Sequence, residues 1–253
     1  MSTKKRIEVG DVFTNSSGCV AVVIERKNYS EILVQFQDEF QHSVIVRGDV
    51  LKSGRFKNPY YKSVCGVGYV GVGKYCVSEG GRITKAYIHW SHALERCYNK
   101  EYQEKYPSYL GCTVCEEWHN FQVFAEWFYS QRYYQKRFHL DKDLLFKNNK
   151  VYSPETCTLI PERINGFLIG LSKSKGEHPL GVSRKSKSNK FQTSVNLDSG
   201  RKYLGAFNTP EEAFYTYKEA KEKHIKELAF KYKDQIDPRV YNALMSWEVY
   251  IDD

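Results

Sequence analysis

Between Gly181 and Tyr232 the sequence admits few folds. Three short runs, Gly181 to Arg184, Lys190 to Leu197 and Lys202 to Phe207, alternate polar and apolar residues, with turn residues at Ser186 to Asn189 and at Asp198-Ser-Gly200. Period-two alternation leaves each strand one apolar face, so the three runs predict an antiparallel sheet with one side to cover. The cover follows at once. Thr209 is placed to cap a helix, Pro210 takes the first helical position, and Glu212 completes a capping box three residues after the threonine. Behind it Ala213, Tyr217, Ala220, His224 and Leu228 form an apolar stripe to lie on the sheet. His224 is read as packed or surface-exposed rather than functional.

The other side of this sheet carries the charge. The outward positions are expected to hold Arg184, Lys185, Lys187, Lys190, Gln192, Ser194, Asn196, Arg201 and Lys202, opposed only by Glu177 and Asp198. Lys and Arg neutralise phosphates and release condensed counterions, Arg bridges guanine O6 and N7, and Gln or Asn pairs with adenine N6 and N7. The chain's net charge of +8 points the same way. The plain alternative is a solvated basic face. Through Gly181-Val-Ser-Arg184, Phe191-Gln-Thr, Tyr203-Leu-Gly205-Ala-Phe207, Thr209-Pro-Glu-Glu-Ala213 and Tyr217, the module resembles the Apetala-two or ethylene-response-factor DNA-binding domain. The resemblance implies a sheet that enters the major groove of double-stranded DNA while the helix supports it from behind. Plant members carry tryptophans on this sheet and none stands here, so no base preference is carried over.

Residues 137 to 168 suggest strand, loop, strand, helix. Arg-Phe-His139-Leu-Asp141-Lys142-Asp143 leads to a turn at Lys147-Asn-Asn149-Lys, then to Tyr152-Ser-Pro-Glu-Thr156 and on to Asn165. This resembles the ββα-metal core of HNH endonucleases, and such cores joined to Apetala-two modules occur among phage proteins of the homing-endonuclease type. The resemblance implies an Mg²⁺ (or Mn²⁺) ion held on the scissile phosphate by Asp141 and the helical Asn165, with a general base beside them. Lys142 stands where the basic His belongs and Thr156 near the strand-leading Asn, which departs from the family pattern. On a continuous strand His139, Asp141 and Asp143 share a face, so two carboxylates would bind metal with His139 as base or ligand. Arg132, Arg137 and Lys147 would flank the DNA backbone. The competing readings are a catalytically inactive hairpin that serves as a DNA- or protein-binding regulator or inhibitor, and an RNA binder whose 20 tyrosines stack unpaired bases.

The rest of the chain supplies context. Val9 to Phe13, Val20 to Glu25, Ile32 to Phe36 and Val44 to Val46 predict a small β barrel over residues 1–55, of the Src-homology-three or Tudor kind and open to a protein partner. Gly66-Val-Gly-Tyr-Val-Gly71 matches a dinucleotide fingerprint in letters only. No helix or βαβ unit surrounds it, so residues 56–83 are expected to be a glycine-rich linker lying close to another surface. Helices are expected at 84–99, where Ala86, Trp90, Ala93, Leu94 and Cys97 recur on one face, and at 116–131, where Trp118, Phe121, Phe124 and Phe128 do so beside Trp127, these aromatics packed or, alternatively, offered to bases. Cys112-Thr-Val-Cys115 is half a zinc site, with Cys157, His119 or His139 able to complete it only by folding back, and reduced thiols are the default for the seven cysteines. The fold class is therefore α+β: barrel at 1–55, helical and HNH-like core at 84–170, DNA-binding module at 176–250. With no apolar run near the ~20 residues of a membrane span and no signal segment, the expected compartment is the cytoplasm, the bacterial host's if phage-encoded.

Overall fold

The computed structural model describes residues 6–131, 137–169, 177–197 and 200–251. The chain is mixed α/β with small antiparallel sheets, and among the described residues no helix is long and apolar enough to cross a membrane. It divides into two compact units. The first comprises Met1–Leu110 and Val114–Glu126, the second Gly111–Thr113 and Trp127–Asp253.

In the first unit, β1 (Val12–Thr14), β2 (Val20–Arg26), β3 (Ile32–Phe36) and β4 (Ser43–Val46) form one antiparallel sheet in that order. The expected barrel is corrected: β1 and β4 are opposite edges of an open sheet. Closure needs strands long enough to tilt and pair across the gap, and β1 has only three residues. Ala21, Val23, Ile32, Val34, Phe36, Leu51 and Phe56 are buried on one side of it. Asn15 builds the first turn, accepting from the amides of Ser17 (2.9 Å) and Cys19 (2.8 Å) and donating to Phe56 O (3.0 Å).

The glycine-rich stretch is packed rather than loose. Tyr69 N donates to His119 O at 2.9 Å and Tyr69 O accepts from Phe121 N at 2.9 Å. Gly68 lies so close to Trp90 and Leu94 that a Cβ there would collide with both, which is why this position carries no side chain. Helix α1 (Lys85–Tyr98) buries Ala86, Trp90, Ala93, Leu94 and Cys97, the face its spacing predicted. The segment expected as one helix over 116–131 breaks at Asn120 into a short 3-10 turn (Glu116–His119) and α2 (Phe121–Ser130). Trp118, Phe121, Phe124 and Phe128 are fully buried, and Trp90 Nε1 donates to Trp118 O at 2.7 Å. These aromatics are core, not a stacking surface.

In the second unit, β5 (Phe138–Asp141) pairs antiparallel with β6 (Thr158–Pro161), setting Asp141 opposite Thr158 and His139 opposite Ile160. Helix α3 (Glu162–Ile169) follows, giving the strand, loop, strand, helix order expected from sequence. Next come β7 (Val182–Arg184), β8 (Phe191–Leu197) and β9 (Gly200–Phe207), an antiparallel sheet in sequential order. Helix α4 (Pro210–Tyr232) begins with the full capping box: the Thr209 hydroxyl accepts from Glu212 N at 3.2 Å, and the Glu212 carboxylate accepts from Thr209 N at 3.4 Å.

Two cores share this helix. Its first half packs Phe214 and Tyr217 with Val195 of the sheet, Leu180 and Val249. Its second half packs Ile225 and Ala229 with Leu144, Ile160 and Ile164 of the hairpin region and with Val240 and Leu244 of α5 (Pro238–Met245). Burying roughly ten such side chains at about 1.5–3 kcal/mol each makes α4 the beam on which the unit is built.

Candidate nucleic-acid interface and the ββα hairpin

The register of the three-stranded sheet decides which side chains leave it on the side away from α4. Thr193 and Val195 are buried toward the helix, so Gln192, Ser194 and Asn196 of β8 point the other way. Cross-strand pairing adds Ser183 opposite Gln192, Tyr203 opposite Ser194, and Arg201 opposite Asn196. Arg201 Nε donates to Ser194 Oγ at 2.7 Å, which fixes the guanidinium over the strand. These side chains surround a dimple of about 210 Å³ lined by Ser183, Gln192, Thr193, Ser194, Arg201 and Tyr203. Lys190 leads β8 on the outward parity. Lys185 and Lys187 are exposed in the preceding turn, Lys187 with a φ of 57°.

Two expected positions are corrected by one residue. Arg184 pairs with Phe191, and Lys202 with Val195, so both belong by register to the helix side and are exposed only at the sheet's margin. The cause for Lys202 is a bulge. Thr193 faces Gly205 while Ser194 faces Tyr203, so Leu204 is an extra residue and the alternation of β9 changes phase there. Gly205 sits in this bulge with a φ of 142°, a conformation suited to glycine. Ser183 and the 56%-exposed Tyr203 are the outward residues that sequence reasoning missed. A cross-strand reading of 203 against 194 would have found the tyrosine. Asp198 of the expected turn lies outside the described residues.

The hairpin is differently occupied. Asp141 ends β5, and its Oδ1 accepts from Asp143 N (2.9 Å) and Leu144 N (2.7 Å), turning the chain out of the strand. Asp143 therefore does not continue the alternation that would have set it beside His139 and Asp141. Its exposed carboxylate instead takes Lys142 Nζ, whose side chain is only 7% exposed and also donates to Asn149 O at 2.8 Å. Asn149 closes the loop, donating from Nδ2 to Lys142 O (2.9 Å) and Val151 O (2.7 Å). Thr156 is likewise structural, its hydroxyl donating to Val151 O at 2.7 Å. His139 and Asn165 are half-buried, on β5 and α3 respectively.

This donor set does not fit the two-carboxylate Mg²⁺ (or Mn²⁺) site. One Asp141 oxygen serves two backbone amides, Asp143 serves a lysine, and among the described residues no three His, Cys, Asp or Glu side chains stand together as metal ligands. Burial pushes the Asp141 carboxyl up from the usual carboxylate range, although the amides of Leu144 and Asp143 favour its ionised form. Lys142 Nζ is taken up by the Asp143 carboxylate and the Asn149 carbonyl, so its side chain holds the loop. Of the expected flanking cations, Arg137 is exposed, Lys147 Nζ lies 4.5 Å from the Tyr250 ring centroid, and Arg132 falls outside the described residues.

Within the unit, a lysine of α4 adds a polar tie to the apolar packing of α3 on that helix. Lys221 Nζ sits 3.3 Å from the Phe167 ring centroid and donates to Phe167 O at 3.3 Å, and burial pulls its pKa down to about 8. His224 is buried next to the same ring, its imidazole edge-on to Phe167 with centroids 4.8 Å apart.

No protein-family model matches the chain, and neither a curated protein nor a solved structure matches it significantly. The Apetala-two and HNH resemblances rest on the residues named above.

Proposed function

We propose that the chain binds double-stranded DNA through the outward face of β7–β9, with the ββα hairpin serving as a frame for α4 rather than as a nuclease centre. One observation carries the reading: Arg201, Gln192, Ser194, Asn196, Ser183 and Tyr203 leave the sheet on one side, with Lys185, Lys187 and Lys190 at its end. That set joins phosphate-neutralising cations to the side chains that reach base edges, on an element slim enough for the major groove. Tyr203 adds an exposed ring for sugar or thymine-methyl contact. The hairpin supports a framing role because its polar side chains bond to their own loop. The open N-terminal sheet is proposed as the seat of a protein partner, with a cleft of about 820 Å³ beside Phe56, Pro59 and Tyr61.

The test is fluorescence anisotropy of labelled duplex DNA against single-stranded RNA over a salt series, together with incubation of supercoiled plasmid with Mg²⁺, Mn²⁺ or EDTA. Salt-dependent duplex binding with intact plasmid in every lane is expected. Tighter binding to single-stranded RNA would overturn the duplex assignment. Metal-dependent nicking abolished by Asp141→Ala and Asp143→Ala would overturn the framing role.

A further inference from the structure

Helix α4 buries one side in the two cores and leaves a second side exposed along its length. At 100° per residue, Tyr215, Glu219, Lys226 and Phe230 fall in one narrow stripe, with Glu222 and Lys223 at its edges. Tyr215 is 63% and Phe230 72% exposed, large aromatic rings at either end of a charged middle. Between them Glu219, Glu222, Lys223, Lys226, Glu227 and Phe230 line a shallow groove of about 700 Å³. A solitary solvated helix has no need of either ring.

The order of residues in the stripe is self-complementary. Laid antiparallel on a second copy, with a two-fold axis passing between Glu222 and Lys223, Tyr215 meets Phe230 at both ends, Glu219 meets Lys226 twice, and Lys218 is level with Glu227. A parallel arrangement would set Glu219 on Glu219 and Lys226 on Lys226, so the charges select the antiparallel one. Glu222 is withdrawn from the exchange: it holds Lys218 Nζ at 2.7 Å and accepts from Val249 N at 2.9 Å. The two Glu219–Lys226 pairs therefore set the register, and the two ring pairs supply the apolar area.

We infer that this face of α4 is a docking surface for a second copy of the chain, which binds antiparallel through Tyr215, Glu219, Lys226 and Phe230. The stripe lies on the side of α4 opposite Ala213, Tyr217, Ala220 and His224, which face inward. The dimer thus carries its two three-stranded sheets on opposite flanks, their outward faces pointing apart. On the DNA-binding reading it holds two duplexes rather than two halves of one site. The dimer itself stands on α4 alone and is tested without DNA.

Sedimentation velocity of the full chain across a concentration series is the experiment. The wild type is expected to pass from monomer to dimer. E219K and K226E, each of which creates two like-charge contacts, are expected to weaken association on the order of tenfold, corresponding to about 1.4 kcal/mol. Mixing E219K with K226E restores attraction at both contacts, and so does the double variant E219K/K226E, so dimer returns in both. F230S removes the ring pairs and weakens association without touching the core. Three outcomes overturn the inference: a wild type that stays monomeric throughout, single variants that associate like the wild type, or a mixture that fails to regain dimer. Unchanged circular dichroism and melting of each variant keep misfolding from imitating the effect.

Discussion

The three-stranded sheet and the ββα hairpin are both rich in polar side chains, and they use them in opposite ways. In the hairpin Asp141, Lys142, Asn149 and Thr156 bond to backbone atoms or to one another within fifteen residues of chain, so their chemistry is spent on holding a loop. On the sheet Lys185, Lys187, Lys190, Asn196, Arg201 and Tyr203 are exposed on an element whose backbone is already satisfied by its ladder. The difference teaches that a residue's type does not mark a site until its hydrogen-bond partners are counted. A carboxylate that accepts two backbone amides is a turn residue first.

That contrast is open to direct attack. The largest effect is expected on DNA affinity: replacing Lys185, Lys187 and Lys190 together by Ala should weaken duplex binding on the order of a hundredfold. The slope of log K against log salt should fall by up to about 3, at 0.9 per phosphate contact, with melting almost unchanged. A drop in melting as large as that of a core change would erase the distinction between the regions. Asn149→Ala should do the reverse, costing about 1–3 kcal/mol in urea denaturation because it strands loop carbonyls, while the folded variant binds DNA as the wild type does.

Lys221→Met is expected to stabilise by roughly 1–2 kcal/mol at neutral pH, since it removes a buried charge and keeps the contact with Phe167. The folded pKa of about 8 lies below the unfolded value of about 10.4, so the charged lysine costs stability below pH 8. That cost fades as pH rises toward 10.4, and the advantage of the variant measured by urea denaturation should fade with it. The smallest effect belongs to Asp141→Asn. Its Oδ1 still accepts from both amides, and a carboxyl pKa raised by burial means that the ionised form disfavours folding at neutral pH. The variant should equal or exceed the wild type at pH 7 in urea titrations, and the gap should close as the pH falls toward 4. A marked loss at pH 7 would show that the Asp141 charge itself is needed, restoring the case for a metal there.

Local signals carried over from sequence to structure, and non-local ones did not. Thr209, Pro210 and Glu212 lie within one turn and do what their types dictate, and α1 buries the five residues its spacing named. The Asp237-Pro238 start of α5 had the same kind of signal: the Asp237 carboxylate accepts from Arg239 N at 2.7 Å. Barrel closure was not legible, because pairing between β1 and β4 depends on strand length and twist summed over the whole sheet. Nor was the outward set complete. Unbroken alternation back from the outward Ala206 would set Lys202 outward and Arg201 inward, and the extra residue at Leu204, which has no sequence mark except Gly205, reverses both. Asp143 was misplaced for a related reason, a strand taken two residues past the carboxylate that ends it.

The bulge at Leu204 also sets what kinds of change the binding face tolerates. Side chains along β9 are read out in a two-letter alternation, and Leu204 is the inserted letter that shifts the frame between Tyr203 and Gly205. Substitutions at Arg201 or Tyr203 rewrite one position each. Deleting Leu204 itself would remove only the inserted letter, leaving an outward Tyr203 beside an inward Gly205 and every other facing unchanged, whereas deleting Lys202 would bring Arg201 and Tyr203 side by side and turn one of them inward against the helix. The face can thus change its letters, and even shed the inserted one, but the loss of a regular residue of β9 garbles the frame on one side of the gap.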